Sequence, residues 1–405
     1  MPWSGSTTHP ENSDADDLRW VRNALGGDPA HPFVRSPYLA RPSAADPQLL
    51  VPLQPRAVTR AAMHRVHDAR SWPQRLAGLG AQAVARVGLL PLAGGERIAL
   101  APFPLVTHLA NVLGEPELVP VISIGPRRRN RKPVVQLVRP DGVVVGFAKI
   151  AWSPFTGSLI SNEANWLRQV EGRLPPGLRA PVVLVHERHE HDGESTEVVV
   201  TSPVPTPLRS HRKGPLDVQL LTQLARCLGS ETCTVAESGI VDGWRPHIGD
   251  AVDLDLLLSG IGNESVEIGL WHGDLTPWNT ATSKPAPSAQ PVTSAWDWEF
   301  ADDRRPVGFD ALHLAFETVR RAQNEQLAID ALVRQAPELL ASVPGGPVTS
   351  NAQVIIDLYL CEILAREARL RGEGWEPEHL GPIEALLTHA ISGRLRRFLS
   401  KPPTA

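Results

Sequence analysis

Apolar residues in the middle of the chain fall in short runs rich in Val, Ile and Leu, a pattern typical of β-strands. Turn-forming residues separate these runs, and Pro140-Asp141-Gly142 is a strong hairpin signal between two of them. The pattern predicts strands over 119–124, 134–138, 143–150, 182–185 and 197–201. This part of the chain is therefore expected to form a small sheet.

Farther along the chain, apolar residues recur at the spacing of helices. Predicted helices cover 160–170, 216–228, 252–261, 309–340, 352–371 and 380–399. Before the sheet, residues 56–69 and 74–88 also have helical spacing, whereas residues 1–17 are polar and acidic. We therefore divide the chain into a disordered tail (1–17), a mostly helical N-terminal extension (18–115), a sheet-bearing lobe (116–202) and a helical lobe (203–405).

Composition narrows the class of protein without identifying it. Hydrophobic residues make up 42% of the chain and charged residues 21%, which is ordinary for a globular protein. The formal net charge of −4 argues against a general nucleic-acid binder, whose affinity comes from clustered cations. No apolar run approaches the length of a membrane span. The cysteines have no metal-ligand spacing, so we expect reduced thiols and a cytoplasmic location. From the net charge and the lack of a long apolar run, we expect neither nucleic-acid nor membrane partners.

The most informative stretch of sequence is His272-Gly273-Asp274-Leu275-Thr276-Pro277-Trp278-Asn279, followed later by Trp296-Asp297-Trp298-Glu299. Each stretch follows a short apolar segment, so each is expected to begin where a buried segment ends. The first stretch supplies a carboxylate and a side-chain amide, and the second supplies another carboxylate. Phosphoryl transfer from a nucleotide needs such a set. One carboxylate accepts the proton of the attacking hydroxyl, and an amide and a second carboxylate hold Mg²⁺.

These residues resemble the motifs of the aminoglycoside phosphotransferase and choline kinase family, the small-molecule branch of the protein-kinase-like superfamily. That branch has His-Gly-Asp where protein kinases have His-Arg-Asp, and Asp-Trp-Glu or a similar triplet where they have Asp-Phe-Gly. The resemblance implies an α+β, bilobal protein-kinase-like fold, with a small antiparallel β-sheet lobe, a mostly helical large lobe and, here, an extra N-terminal segment. It also implies ATP and Mg²⁺ as cofactors and a small-molecule hydroxyl group as acceptor.

The same resemblance implies a role for each motif residue. Asp274 is the expected catalytic base, and Asn279 and Asp297 are the expected metal ligands. His272 is expected to orient the catalytic loop, and the later Asp310 is expected to brace it.

Lys149 stands inside an apolar strand pattern in a chain with few lysines. In kinase-like folds such a lysine grips the α- and β-phosphates, and a glutamate on the next helix positions it. Glu163 is the favoured partner, and Glu171 is a second candidate. A strand-edge lysine with a solvated head group is the alternative interpretation.

The loop expected to cover the phosphates departs from a glycine-rich clamp. It offers Gly125 and then arginines at 127–129 and 131. Backbone N–H groups of a tight turn can cradle a phosphate, and arginines bind phosphate or an anionic substrate, but a solvated basic turn is the alternative. The resemblance implies that the adenine-binding hinge lies near Ser202, which has a backbone N–H, whereas the following Pro203 has none.

Two further groups of residues have alternative interpretations. His186, His189 and His191 stand among charged residues, where a solvated turn is favoured over a metal site. The tryptophans of the two motifs, together with Trp375, belong to the core or stack against a sugar or a quaternary ammonium group.

The sequence therefore predicts an ATP- and Mg²⁺-dependent phosphotransferase that acts on a sugar, an amino-alcohol or a related metabolite. The alternative is a catalytically silent kinase-like protein that works as a binding or scaffold module. The irregular phosphate loop and the N-terminal segment favour the silent module. The intact set of Asp274, Asn279, Asp297 and Lys149 opposes it, because a silent kinase usually lacks at least one of these groups.

Overall fold

Two compact units make up the chain in the computed structural model. The first comprises Met1–Arg127, Arg131–Gly157 and Leu184–Pro203, and the second comprises Arg128–Asn130, Ser158–Val183 and Val204–Ala405. Within these units, the structure describes residues 21, 25, 36–66, 94–124, 132–151, 153–191, 194–204, 217–283, 289–343, 352–372 and 382–399.

Both units contain strands and helices. In chain order the strands are β1 (Ser36–Pro42), β2 (Pro47–Pro52), β3 (Glu96–Leu100), β4 (Val119–Ser123), β5 (Val134–Val138), β6 (Val144–Ile150), β7 (Leu178–Arg179), β8 (Val183–His191), β9 (Glu194–Thr201), β10 (Glu231–Thr234), β11 (Ser265–Trp271), β12 (Thr280–Ser283), β13 (Val292–Ala295) and β14 (Asp302–Pro306). The helices are α1 (Arg56–Val66), α2 (Pro104–Val112), α3 (Pro154–Val170), α4 (Val218–Arg226), α5 (Val235–Ser238), α6 (Ile240–Ile248), α7 (Leu254–Ile261), α8 (Phe309–Ala322), α9 (Glu325–Ala341), α10 (Ala352–Gly372) and α11 (Ile383–Leu399).

One sheet forms the frame of the first unit. Its strands lie in the order β3-β1-β2-β4-β5-β6-β9-β8, and each pairing from β3 to β9 is antiparallel. The predicted strands over 119–124, 134–138 and 143–150 are confirmed as β4, β5 and β6. The turn predicted around His186, His189 and His191 is wrong, because β8 continues to His191 before β9 begins at Glu194.

The sheet is larger than the sequence predicts. Residues 18–115 are predicted to be mostly helical, yet they contribute β1, β2 and β3 as well as α1 and α2. Strand β2 joins this addition to β4 through the pairs Leu49↔Ser123 and Leu50↔Ile122. Prolines within and beside the short strands hide their alternation in the sequence. The predicted helix over 56–69 is confirmed in its described part as α1, whereas the predicted helix 74–88 and tail 1–17 lie outside the described residues.

Apolar side chains cover both faces of the sheet, and a helix packs on each face. Tyr38 and Ala40 of β1 belong to the apolar cluster that includes α2, whereas Leu39 between them belongs to the cluster that includes α1. This is the period-two alternation of a strand. Ala148 and Ile150 of β6 also face α2, so Lys149 points to the opposite side of the sheet.

The second unit is built around α10, which is buried along most of its length. Helices α6, α8, α9 and α11 contact α10, and their apolar residues join it in one core cluster. Two small sheets, β10-β11-β14 and β12-β13-β7, complete the unit. The α+β class, with an antiparallel sheet in one unit and a mostly helical second unit, is confirmed. In the described parts of the chain, none of the helices combines the length and apolar character needed to cross a bilayer.

Ion pairs of different burial join α10 to α11. The Asp357 carboxylate on α10 is 2% exposed and pairs with Arg394 and Arg397 of α11. Arg371 of α10 pairs with Glu384 of α11 at 2.5 Å, but the arginine side chain is 55% exposed. The same two helices thus carry a buried carboxylate between two arginines and a second pair in which the arginine is about half exposed.

We expect Asp357→Ala to lower the free energy of unfolding by roughly 3 kcal/mol, because Arg394 would keep a buried charge without its carboxylate. Arg371→Ala, the matched control, should cost less than about 1 kcal/mol because solvent screens the pair that it removes. Urea denaturation followed by circular dichroism measures both values. An equal loss of unfolding free energy in the two variants would contradict the view that burial makes the Asp357 ion pairs the stronger ones.

Candidate active site

The His-Gly-Asp loop begins where the buried strand β11 ends. Trp271 at the end of β11 is buried, and so is His272 after it. Gly273 has a φ of 82°, and a Cβ at this position would lie 2.2 Å from the carbonyl oxygen of Phe300. Only glycine fits such a close approach in the left-handed region. The turn carries the chain from the core to Asp274, which is partly exposed.

The carboxylate of Asp310 holds this loop from helix α8. Its Oδ2 accepts the backbone N–H of His272 at 3.1 Å. Burial raises the pKa of Asp310 to about 7, while the backbone N–H groups of His272 and Gly273 lower it. Asp310 lies in the first turn of α8, where the helix dipole favours a negative charge. The structure thus places Asp310 where the sequence predicts a brace.

His272 contacts residues of both motifs. Its Nδ1 accepts the backbone N–H of Asp274 at 3.3 Å, and its ring centroid is 4.4 Å from that of Trp298. Trp298 is fully buried and donates its indole N–H to the carbonyl of Ala295 at 3.1 Å. Trp298 is therefore a core residue that supports the loop, not a surface on which a ligand stacks.

Asp274 and Asn279 are joined directly. Asn279 Nδ2 donates to Asp274 Oδ2 at 2.7 Å and to the backbone carbonyl of Asp274 at 3.1 Å. The amide nitrogen faces Asp274, so the other polar atom of the amide, Oδ1, is the one that can bind a cation. From α10, Arg366 Nη1 donates to the carbonyl of Gly273 at 2.7 Å. Side chains from two helices therefore hold the backbone before Asp274.

The environment of Asp274 favours its neutral form. Burial raises the pKa of the Asp274 carboxyl to about 8, and the charges of Asp297 and Glu317 act in the same direction. Arg366 and the hydrogen bond from Asn279 lower this pKa. A divalent cation beside the carboxyl would add a larger positive charge and favour the carboxylate.

A hairpin brings Asn279 close to the second motif. Asn279 directly precedes β12, and its carbonyl accepts the backbone N–H of Trp296, which follows β13, at 3.0 Å. The next residue, Asp297, has a φ of 72°, and among the described residues it is the one non-glycine residue with a positive φ. Strained backbone of this kind is concentrated at functional sites. The predicted metal ligands Asn279 and Asp297 therefore lie on the two strand termini that form the open end of one hairpin.

Three carboxylates meet at this end of the hairpin. Ligand atoms of Glu163, Asp297 and Glu299 all lie within 4.8 Å of one another, and Glu163 and Glu299 are buried. Asn162, beside Glu163 on α3, donates its Nδ2 to the carbonyls of Glu299 and Ala301 at 2.9 and 3.1 Å. Helix α3 is thus fixed to the second motif. The sequence did not predict that Glu163 and Glu299 would join Asp297.

Three residues behind Asp274 were not predicted from the sequence: His313, Tyr359 and Arg366. His313 Nε2 lies 3.5 Å from Asp274 Oδ1, and its Nδ1 lies 3.0 Å from the Tyr359 hydroxyl. Burial, assisted by Arg366, lowers the pKa of His313 to about 3, so the imidazole is neutral. The sequence could have pointed to His313, because Asp310, His313 and Glu317 recur on one face of the predicted helix. No sequence pattern pointed to Tyr359 or Arg366.

The predicted nucleotide-binding residues lie mainly in the first unit. Lys149 is on β6, and Ser202 directly follows β9. Glu163 belongs to the second unit, so its pairing with Lys149 stays a prediction. Gly125 and the arginines that follow it lie outside the described residues.

The tryptophans and histidines with alternative interpretations have definite positions where the structure describes them. The Trp278 ring contacts the guanidinium of Arg321, whose carbon lies 4.5 Å from the ring centroid, and Trp375 lies outside the described residues. His186 Nε2 lies 2.8 Å from Glu197 Oε1. The side chain of His191 is outside the described part of the chain.

No protein-family model and no curated protein matches the chain. Among solved structures, a microcompartment-associated aminopropanol kinase aligns over 73% of this chain and 98% of its own, at 12% identity and a TM-score of 0.41. An aminoglycoside phosphotransferase in complex with GDP and kanamycin aligns over 73% and 97%, at 11% identity and a TM-score of 0.40. A Ralstonia eutropha protein assigned as an aminoglycoside phosphotransferase aligns over 73% and 95%, at 11% identity and a TM-score of 0.44. All three neighbours carry the names of small-molecule kinases.

We expect Gly273→Ala to lower the free energy of unfolding by about 2 kcal/mol or more, because the new Cβ would collide with backbone in a conformation that alanine avoids. Gly243→Ala is the matched control, because Gly243 lies inside α6 and nothing lies within 4 Å of an added Cβ. The control should be neutral or stabilising by up to about 1 kcal/mol. Thermal unfolding of both variants measures the difference, and equal midpoints would contradict the close approach.

Proposed function

We propose that the chain is a small-molecule kinase, which uses Mg²⁺ and transfers the γ-phosphoryl group of ATP to a hydroxyl group. The observation that carries the proposal is the Asp274–Asn279 pair, joined at 2.7 Å on a loop that Asp310 and Arg366 hold. A carboxylate fixed in this way is suited to position an attacking hydroxyl. The acceptor belongs to the sugars, amino-alcohols and related metabolites that the sequence motifs imply.

Asp274 acts as the catalytic base in the proposed reaction. The hydroxyl oxygen of the acceptor attacks the γ-phosphorus, the bond between that phosphorus and the β,γ-bridging oxygen breaks, and ADP leaves. The proton of the hydroxyl passes to the Asp274 carboxylate. The partial exposure of Asp274 gives the acceptor access, and the hydrogen bond from Asn279 fixes the orientation of the carboxylate.

The donor set beside Asp274 fits Mg²⁺. Magnesium prefers hard oxygen ligands, and Glu163, Asp297 and Glu299 supply carboxylates within 4.8 Å of one another. The backbone carbonyl of Asn279 accepts the N–H of Trp296, the residue before Asp297. Like charges this close repel, and a divalent cation relieves the repulsion. When bound, Mg²⁺ neutralises charge on the phosphates. Glu163, predicted from the sequence as the partner of Lys149, is therefore also a candidate metal ligand.

The remaining roles rest on the motif resemblance. In the proposed enzyme, Lys149 holds the α- and β-phosphates, and Gly125 and Ser202 contribute backbone groups to nucleotide binding. The orientation of Lys149, away from the apolar face that packs on α2, supports its role because the ammonium group is not held in that core.

Mg²⁺-ATP is expected to raise the thermal midpoint of the native chain by a few degrees, because a hundredfold excess over Kd stabilises by about 2.7 kcal/mol. Asp297→Ala should remove the Mg²⁺-dependent part of the rise. Asp330→Ala, which removes a carboxylate from α9 outside the site, should keep it. Differential scanning fluorimetry with ATP plus Mg²⁺ or EDTA measures these shifts. No shift in the native chain would contradict the proposed function and favour a silent module.

Asp274→Asn is expected to keep the midpoint rise with Mg²⁺-ATP but to lower turnover by about a thousandfold, because an amide cannot take the hydroxyl proton. Release of ADP, measured with a panel of sugars and amino-alcohols, gives the turnover. Asp330→Asn is the matched control and should behave like the native chain. Native turnover in Asp274→Asn would rule out Asp274 as the base.

A further inference from the structure

Two imidazoles and a carboxylate form a cluster in the first unit, and none of these three residues belongs to the two motifs. His108 belongs to α2, and Glu187 and His189 belong to β8. Their candidate ligand atoms lie within 4.8 Å of one another. His108 Nε2 lies 2.6 Å from Glu187 Oε1, and the ring centroids of His108 and His189 are 4.9 Å apart. The chain thus brings together residues that are far apart in sequence.

Packing of α2 on the sheet fixes the positions of these side chains. Glu187 and His189 share one face of β8 with Val185, because side chains of a strand alternate. Val185 belongs to the apolar cluster that also contains Leu105 and Leu109 of α2, on either side of His108 in sequence. The backbones that carry the cluster are therefore held by a buried core.

The composition of the cluster favours a particular class of ion. Two imidazole nitrogens and one carboxylate oxygen form a ligand set that suits Zn²⁺ and related first-row transition metals. Mg²⁺ and Ca²⁺ prefer oxygen ligands alone. A simple ion pair would need only His108 and Glu187, and it would contribute little, because their side chains are 40% and 28% exposed.

We propose that His108, Glu187 and His189 bind a transition-metal ion, for which Zn²⁺ is the best fit, and that the ion ties α2 to β8. Zinc–ligand distances of about 2.0–2.2 Å put the ligand atoms of a tetrahedral site roughly 3.4 Å apart. His108 Nε2 and Glu187 Oε1 must therefore separate from 2.6 Å, and any ligand atoms near the 4.8 Å limit must approach, to complete the site. Three protein ligands leave the fourth position to water. Partial exposure of the cluster provides a path by which the ion enters.

Calorimetric titration of the full chain with ZnCl₂ tests the proposal. The buffer contains millimolar Mg²⁺ to fill the carboxylate site near Asp297, and a phosphine reductant to keep the cysteines reduced. We expect one Zn²⁺ per chain, with at least tenfold weaker binding in His108→Ala and in His189→Ala. His389→Ala is the matched control, because His389 is an exposed histidine of α11. This variant should bind Zn²⁺ with the affinity of the native chain. No zinc binding, or equal affinity in all four proteins, would overturn the proposal.

Two further measurements distinguish binding at these three residues from binding at a cysteine and from misfolding of a variant. The Co²⁺-loaded chain should show visible d–d bands without a thiolate charge-transfer band, and His189→Ala should lose them; a thiolate band would place the metal on a cysteine instead. Metal-free midpoints of the variants close to that of the native chain establish that they fold, and Glu187→Gln replaces any variant that does not. The Mg²⁺-ATP midpoint rise should persist in His189→Ala, so failure of the zinc site is distinguishable from failure of the kinase site.

Discussion

The hydrogen bond from the backbone N–H of His272 to the Asp310 carboxylate is the contact on which the candidate site depends. A loop that turns through a left-handed glycine has no ladder of its own to fix it, so the position of Asp274 must come from elsewhere. Asp310 supplies it from the first turn of α8. The core then fixes α8, because Phe309 packs edge-on against both Trp271 and Tyr359. The position of Asp274 is therefore set by the hydrophobic core.

Helix α10 combines two tasks that usually fall to different elements. Its apolar residues fill the centre of the second unit, yet it also carries buried charges. Glu362 accepts the indole N–H of Trp244 and the Nε–H of Arg305, each at 2.7 Å. One turn later, Arg366 donates to the carbonyl of Gly273. Buried polar groups that are satisfied in this way specify one packing arrangement, and here that arrangement includes the loop that carries Asp274.

The sequence predicted the parts of the structure that local patterns encode. Strands β4, β5 and β6 are short apolar runs between turn-forming residues, and the motif residues Asp274, Asn279 and Asp297 have fixed spacing within short segments. Helices α4, α7, α10 and α11 were also predicted to within a few residues, whereas 309–340 divides into α8 and α9, and α5 and α6 were not predicted. Local periodicity and turn chemistry suffice for these elements.

Elements that depend on distant contacts escaped prediction. Strands β1 to β3 are short, β1 and β2 contain prolines, and among the described strands only the pairing of β2 with β4 joins the three to the predicted part of the sheet. The second half of β8 is charged, so its sequence resembled a turn. Charged residues are tolerated there because β8 lies at the edge of the sheet, and the α2 residue that contacts it, His108, is remote in sequence. Glu163 could be placed on a helix, but its approach to Asp297 and Glu299 depends on how α3 packs. Such contacts leave no periodic trace in one sequence.

The hairpin between the two motifs carries the two predicted metal ligands at its open end. Strands β12 and β13 pair in continuous register from Thr280↔Ala295 to Ser283↔Val292. Strand β13 also pairs in parallel with β7, which follows α3, and the N–H of Thr293 donates to the carbonyl of Gly177 at 2.7 Å. The hairpin is thus anchored to the segment that carries Glu163. Asn279 and Asp297 flank the open end of this hairpin, so the pairing of β12, β13 and β7 ties both residues to the segment that carries Glu163.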